Sequence, residues 1–495
     1  MSALGRHSSA SVSRRVYDRA MRDRAAIAGL SVLLLTGCGG SSATPSGPTS
    51  TSTPSAAPTP VGLTPFPSPA PAACSFSAAW TPAGDLFFDF EPSVVDLNRS
   101  EPIVVRVKTT SGDRVEFVPN GGAPIPLTRF GPGLFCGSIP FDGITRVYNA
   151  SVPHHVFAGF VDVYSGSLRL LRFNGFISVK EPGIPSTAVT RIADDVQVSA
   201  HLLNWYNPNQ LQDAVDVRVA TQTLYRYFAD EYDFVNVVFW PGRSANRFHS
   251  TVQNAVVGNG TTVFNNSAQY GSTRLLGYNV FPLPSLFDMG ETGASHEIGH
   301  QWMSFLRLPQ APAFASGSPH WPPSSLANAV MGASILGSNV GGQFNFTVTG
   351  SGGTATMTAA AQGREFTDLD LYLMGLAPPS EVGTHWVFTN ASQQICDRCS
   401  GPAVPITVAD VIAVHGARQP AYPQAQSSFR VATILVSAYR PLSQTEMDFF
   451  EVMAARGEAT APLSFSAGFT NGTTLPFALA TRGRGSLNTR LGTRR

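Results

Sequence analysis

Residues 296–300 read His-Glu-Ile-Gly-His, and this spacing constrains the fold more than any other feature of the chain. Positions i and i+4 of an α-helix share one face, so both imidazoles can grip a single metal ion, with Glu297 beside them. Ile298, Trp302 and Phe305 follow at i, i+4 and i+7, an apolar stripe that would bury the far side of such a helix. Gly293 and Ser295 stand just before the motif, where small residues suit close approach. One helix over about 291–307 is therefore expected, turned toward a core.

The His296-Glu297-x-x-His300 pattern resembles the zincin metallopeptidases. That resemblance implies Zn2+ held by His296 and His300, and Glu297 acting as general base on a zinc-activated water. Catalytic zinc sites usually take three protein ligands, so a third is required. The extended metzincin motif is absent: Met303 stands where its Gly would be, and Leu306 where its third His would be. His320 lies 20 residues after His300, a separation similar to that of the Glu ligand of thermolysin-like peptidases. Ala329-Val330-Met331-Gly332 looks like the methionine turn beneath the metal of metzincins, which favours His320. Asp370 is the alternative, with Asp368 beside it. Asp370 also has a structural reading, because Thr367 and Asp370 are spaced like a helix capping box. Tyr372, His385 and His415 are candidates to stabilise an oxyanion, and nothing in the sequence selects among them.

The rest of the chain gives the motif a setting. Residues 75–182 hold short alternating runs, such as Ile103 to Val107, Arg114 to Val118, Val156 to Tyr164 and Leu168 to Phe173, separated by turn residues. A small β-sandwich over 74–184 is expected. From 185 the grammar changes. Residues 209–230 read as a helix, Phe234 to Trp240 as a buried strand, and Val252 to Val257 and Leu275 to Phe281 as further strands. A helix, then strands, then a motif-bearing helix is the layout expected of the upper half of a zincin, where an edge strand lines the substrate cleft. Thr407 to Val414 and Ser443 to Ala455 read as helices, and Phe429 to Val436 as a strand. The expected fold class is α+β: an N-terminal β-sandwich, then a zincin-like metallopeptidase domain over 185–495 with a mixed C-terminal part.

The N-terminus reads as a targeting segment. Arg14, Arg15, Arg19, Arg22 and Arg24 precede the apolar run Ala25 to Leu35, which is too short to stay in a bilayer as a spanning helix. It ends in Leu35-Thr36-Gly37-Cys38, which resembles the lipobox of bacterial lipoproteins. Residues 1–38 are thus expected to be a lipoprotein signal peptide, with Cys38 lipidated and the protein anchored to the cell envelope. Residues 39–73, rich in Ser, Thr, Pro, Gly and Ala, read as a disordered tether. Setting Cys38 aside leaves Cys74, Cys136, Cys396 and Cys399, an even number that suits an oxidising compartment. Of three possible pairings, the most local joins Cys74 to Cys136 and Cys396 to Cys399.

With a net charge of +1 and no basic block in the expected folded region, nothing points to nucleic acid as a partner. The expected activity is hydrolysis of peptide bonds in a protein or peptide substrate at the cell envelope. The β-sandwich is a candidate for binding an envelope component. The competing reading is a lipid-anchored binding protein with a vestigial, non-catalytic zincin domain.

Overall fold

Alternation in the N-terminal half becomes two sheets that share one apolar core. The computed structural model describes residues 63–68, 72–74, 76, 86–96, 102–140, 147–149, 152–181, 183–211, 216–242, 247–303, 305–315, 320–332, 346–360, 363–393, 396–463 and 475–495. The expected signal peptide and lipidated Cys38 lie outside these residues. No helix among the described residues is long and apolar enough to cross a membrane.

One sheet runs in the order Leu86–Glu91, Ile103–Thr109, Leu134–Ile139 and Thr128–Gly131, all antiparallel. The other centres on the long hairpin Val152–Ser165 and Leu168–Lys180, flanked by Arg114–Pro119 and Val94–Asp96. Along Arg114–Pro119, Val115 and Phe117 are fully buried while Arg114 is exposed, as period-2 alternation requires. They meet Val105, Val107, Phe135, Val161 and Val163 in a single core. Cys74 is bonded to Cys136, which ties the chain leading into these sheets to the strand Leu134–Ile139. Cys396 is bonded to Cys399.

From Thr190 the chain builds a mixed sheet in the order Thr190–Ala193, Val196–Val198, Leu202–Tyr206, Ser428–Ser437, Phe234–Trp240, Gly277–Phe281 and Phe248–Thr251. The strands from Leu202–Tyr206 to Gly277–Phe281 are parallel, and Phe248–Thr251 closes the edge antiparallel. All seven residues of Phe234–Trp240 are buried, because this central strand is covered on both faces. Val235, Val237 and Phe239 face the helix Val217–Tyr227 through Leu224 and Tyr225. Phe234, Val238 and Trp240 face the other way, toward Ile298 and Trp302 of the motif segment. The chain is α+β, with strand as its larger share.

The regions before and after residue 185 are joined by buried polar contacts. Glu446 of the helix Gln444–Ala455 accepts from the backbone N and Oγ of Ser93, and from Arg440. Asp448, two residues further along the same helix, holds Lys180. The expected tether is also placed in part. Arg191 lies 4.4 Å above the Phe66 ring and donates to the Thr64 carbonyl. Phe66 is one of the few large apolar residues of that Ser- and Pro-rich stretch, and a guanidinium over an aromatic face is favourable.

Candidate metal centre

The motif helix spans Thr292–Gly299, with His300 as its C-cap; the expected helix over 291–307 is therefore shorter. After Gly299 the backbone bonds tighten to i+3 spacing, Gln301 to Ile298 and Trp302 to Gly299, as helix ends commonly do. Gly299 itself favours a stop. The apolar stripe still works without helical continuation: Ile298 and Trp302 are buried, and Trp302 meets Phe234 edge-on at 5.9 Å.

The helix brings His296 and His300 together, and the segment at His320 completes the group. His296 Nε2 lies 3.0 Å from His300 Nε2 and 3.0 Å from His320 Nε2. All three ligand atoms fall within 4.8 Å of one another, so the cluster could hold a metal ion. Two nitrogens bound tetrahedrally at zinc distances would stand roughly 3.3 Å apart, close to the spacing found. His296 Nδ1 lies 2.6 Å from the Val330 carbonyl. A carbonyl only accepts, so Nδ1 carries the proton and Nε2 turns a lone pair to the cluster. Burial depresses His296 to about 3, depresses His300 well below its usual value, and lowers His320 too. Neutral imidazole is the form that ligates.

Val330 belongs to the stretch expected as a methionine turn, and the structure seats it directly under the motif. Met331 is fully buried. A Cβ on Gly299 would come within 2.6 Å of Met331 Sδ and 3.0 Å of Phe366. The helix can approach this floor only because residue 299 has no side chain.

Asp370 is not brought to the histidines. Its Oδ1 accepts from Trp321 Nε1 at 2.8 Å and its Oδ2 from the Thr367 amide at 2.9 Å, completing the capping box of the helix Asp368–Met374. Burial pushes Asp370 up to about 6. Asp368 accepts from Gly383 N and pairs with His385 Nε2 at 2.7 Å. The other oxyanion candidates are also engaged elsewhere: Tyr372 Oη accepts from Arg418 N, and His415 Nε2 from Arg307 N.

Glu297 is 3% exposed and lines the same cavity as the three histidines, a space of about 260 Å³. Arg247 Nε donates to Glu297 Oε1 at 3.1 Å. Burial pushes the Glu297 carboxyl up to about 7, against the pull of Arg247. One wall is the edge strand Phe248–Thr251, which pairs on one side only among the described strands.

Sequence reasoning missed Arg247 and His249. His249 is partly buried near the histidine cluster, with Nδ1 2.8 Å from Asn279 Oδ1 and Nε2 3.1 Å from Gln301 Oε1. Asn279 bonds in turn to Asn236 of the central strand. Burial lowers His249 to about 4. Neither residue belongs to a motif; only the pairing of Phe248–Thr251 with Gly277–Phe281 carries them to the site. The chain matches no family model, no curated protein and no solved structure.

Proposed function

We propose that this chain is a zinc-dependent endopeptidase of the zincin type, exported and anchored to the cell envelope through a lipidated Cys38. The observation that carries the reading is the convergence of His296, His300 and His320 Nε2 atoms in one cavity with the Glu297 carboxylate. Three neutral imidazoles beside an open space are the donor set of a catalytic zinc. Zinc bound there would supply Lewis acidity that makes water nucleophilic near neutral pH.

In this reading Glu297 accepts the proton of the attacking water and passes it to the leaving amine. Its place in the same cavity as the three histidines suits both transfers. An extended peptide adds to the free side of Phe248–Thr251 by backbone pairing. The sheets before residue 185 are read as the expected β-sandwich, a candidate for holding an envelope component, and the region after it as the zincin-like domain.

The Arg247–Glu297 ion pair favours a second reading, since it occupies the proposed base: a lipid-anchored binding protein with a vestigial centre. The two readings part on turnover. Cleavage of a broad peptide library that stops with a chelator, returns with zinc and is lost in Glu297→Ala supports the peptidase. A folded, zinc-loaded wild type that cleaves nothing supports the binding protein.

A further inference from the structure

We propose that Arg247 is a receptor for a carboxylate of the substrate, so that the site favours peptides carrying a negative charge next to the scissile bond. This rests on the peptidase reading above and deepens it.

Arg247 stands at the entry to the edge strand Phe248–Thr251 and lines the cavity of the histidine cluster. Its guanidinium is held in a built seat. Nε donates to Glu297 Oε1 at 3.1 Å, and the plane rests on the motif helix at Gly293, where an added Cβ would lie 2.5 Å from Cζ and from Nη2. Gly293 comes one helical turn before Glu297, so the two residues fix the guanidinium from below and from one edge. The ion pair is lopsided: the Glu297 side chain is 4% exposed and that of Arg247 is 34% exposed. Among the described residues no acceptor takes Nη1 or Nη2. Nε is thus anchored, and both terminal nitrogens, seated over Gly293, keep their donors for a ligand of the cavity that Arg247 lines.

That arrangement matches one ligand chemistry. A guanidinium binds a carboxylate through two parallel N–H···O bonds, which fixes direction as well as charge. Glu297, which Nε already meets, is the one carboxyl of the described lining, and Glu291 outside it also feels the Arg247 charge. The other groups of the lining are imidazoles, the Thr251 hydroxyl and the apolar Phe248, Met303 and Phe305. A metal cation at the cluster would add to the attraction.

The carboxylate can come from an Asp or Glu side chain, as endopeptidase cleavage requires, or from the peptide's own C terminus, which would make the cleavage that of a carboxypeptidase, and matched substrates separate the two. Zinc-loaded wild type, Arg247→Gln and Arg247→Lys are each assayed on peptides that end in a free acid or an amide. A second series carries Asp or Glu against Asn or Gln on either side of the cleaved bond. Wild type is expected to prefer the carboxylate member of one series by about 10- to 100-fold in kcat/KM, the usual worth of a charge-assisted pair. Arg247→Gln should bring the ratio of carboxylate to neutral kcat/KM down toward one, whatever happens to the rate on the neutral partner, and Arg247→Lys should keep part of the preference. An equal fall on every substrate would mean that Arg247 acts only through Glu297, and would overturn the proposal. So would a wild type without preference in either series. Calorimetric binding of the same acid and amide pairs gives a readout that needs no turnover. If no peptide is cleaved, the peptidase reading fails, yet tighter binding of the carboxylate member by wild type and not by Arg247→Gln still supports the receptor. Equal binding overturns it.

Discussion

The Trp321 indole donates to Asp370 Oδ1 across 2.8 Å, so a helix 49 residues downstream holds the neighbour of His320 in place. Asp370 thereby combines two tasks, capping its own helix at Thr367 and fixing the segment that brings His320 to the cluster.

Removing that carboxylate should therefore cost more than a cap. Loss of the cap alone is worth about 1 kcal/mol, and a buried indole N–H without a partner adds about 1–3 kcal/mol. Asp370→Ala is expected to lose roughly 2–4 kcal/mol in urea unfolding, and to weaken zinc binding about tenfold through the displaced His320. His320→Ala should weaken zinc far more and unfold nearly as wild type. Zinc competition titrations on both variants check this, and unchanged stability in Asp370→Ala would show that the indole bond is idle.

Gly299 tests the floor beneath the motif. In an exposed helix Gly→Ala stabilises by about 1 kcal/mol. Here the new Cβ would meet Met331 Sδ at 2.6 Å and Met303 Cε at 3.0 Å, and overpacking typically costs about 1–3 kcal/mol. Gly299→Ala is expected to be destabilising, with part of the loss recovered in the double variant Gly299→Ala with Met331→Ala. A stabilised single variant would contradict the close seating.

Asp368 gives the acid limb of stability a definite sign. Burial alone would raise its pKa, but the hydrogen bonds from His385 and the Gly383 amide prevail and hold it at about 2, below its usual 3.8. Its folded pKa is depressed, so its contribution is fully present above the unfolded value and disappears as pH falls from about 4 toward 2. The amount is about 1–2 kcal/mol, allowing for partial exposure. Melting curves over that interval should fall less steeply for Asp368→Asn than for wild type. Parallel curves would remove Asp368 from the acid response.

The elements legible in the sequence were those with strong local patterns. The apolar run Phe234–Trp240, the strand around Phe429 to Val436 and the helices at Val408–His415 and Gln444–Ala455 form where periodicity placed them. The motif helix was legible at its start but not at its end, because the stripe Ile298, Trp302 and Phe305 continues past a helix that stops at Gly299. Strand order was not legible: Ser428–Ser437 inserts between Leu202–Tyr206 and Phe234–Trp240, a pairing across more than 190 residues with no local trace. For the same reason the sequence named His296, Glu297 and His300 but not Arg247 and His249, which reach the cavity through sheet pairing alone.

The most direct test of the central claim is zinc content measured together with peptide hydrolysis in wild type and Glu297→Ala. About one zinc per chain is expected in both proteins, with turnover in the variant lower by ~10²–10⁴-fold or more, the usual worth of a general base. Undiminished hydrolysis by zinc-loaded Glu297→Ala would contradict the claim.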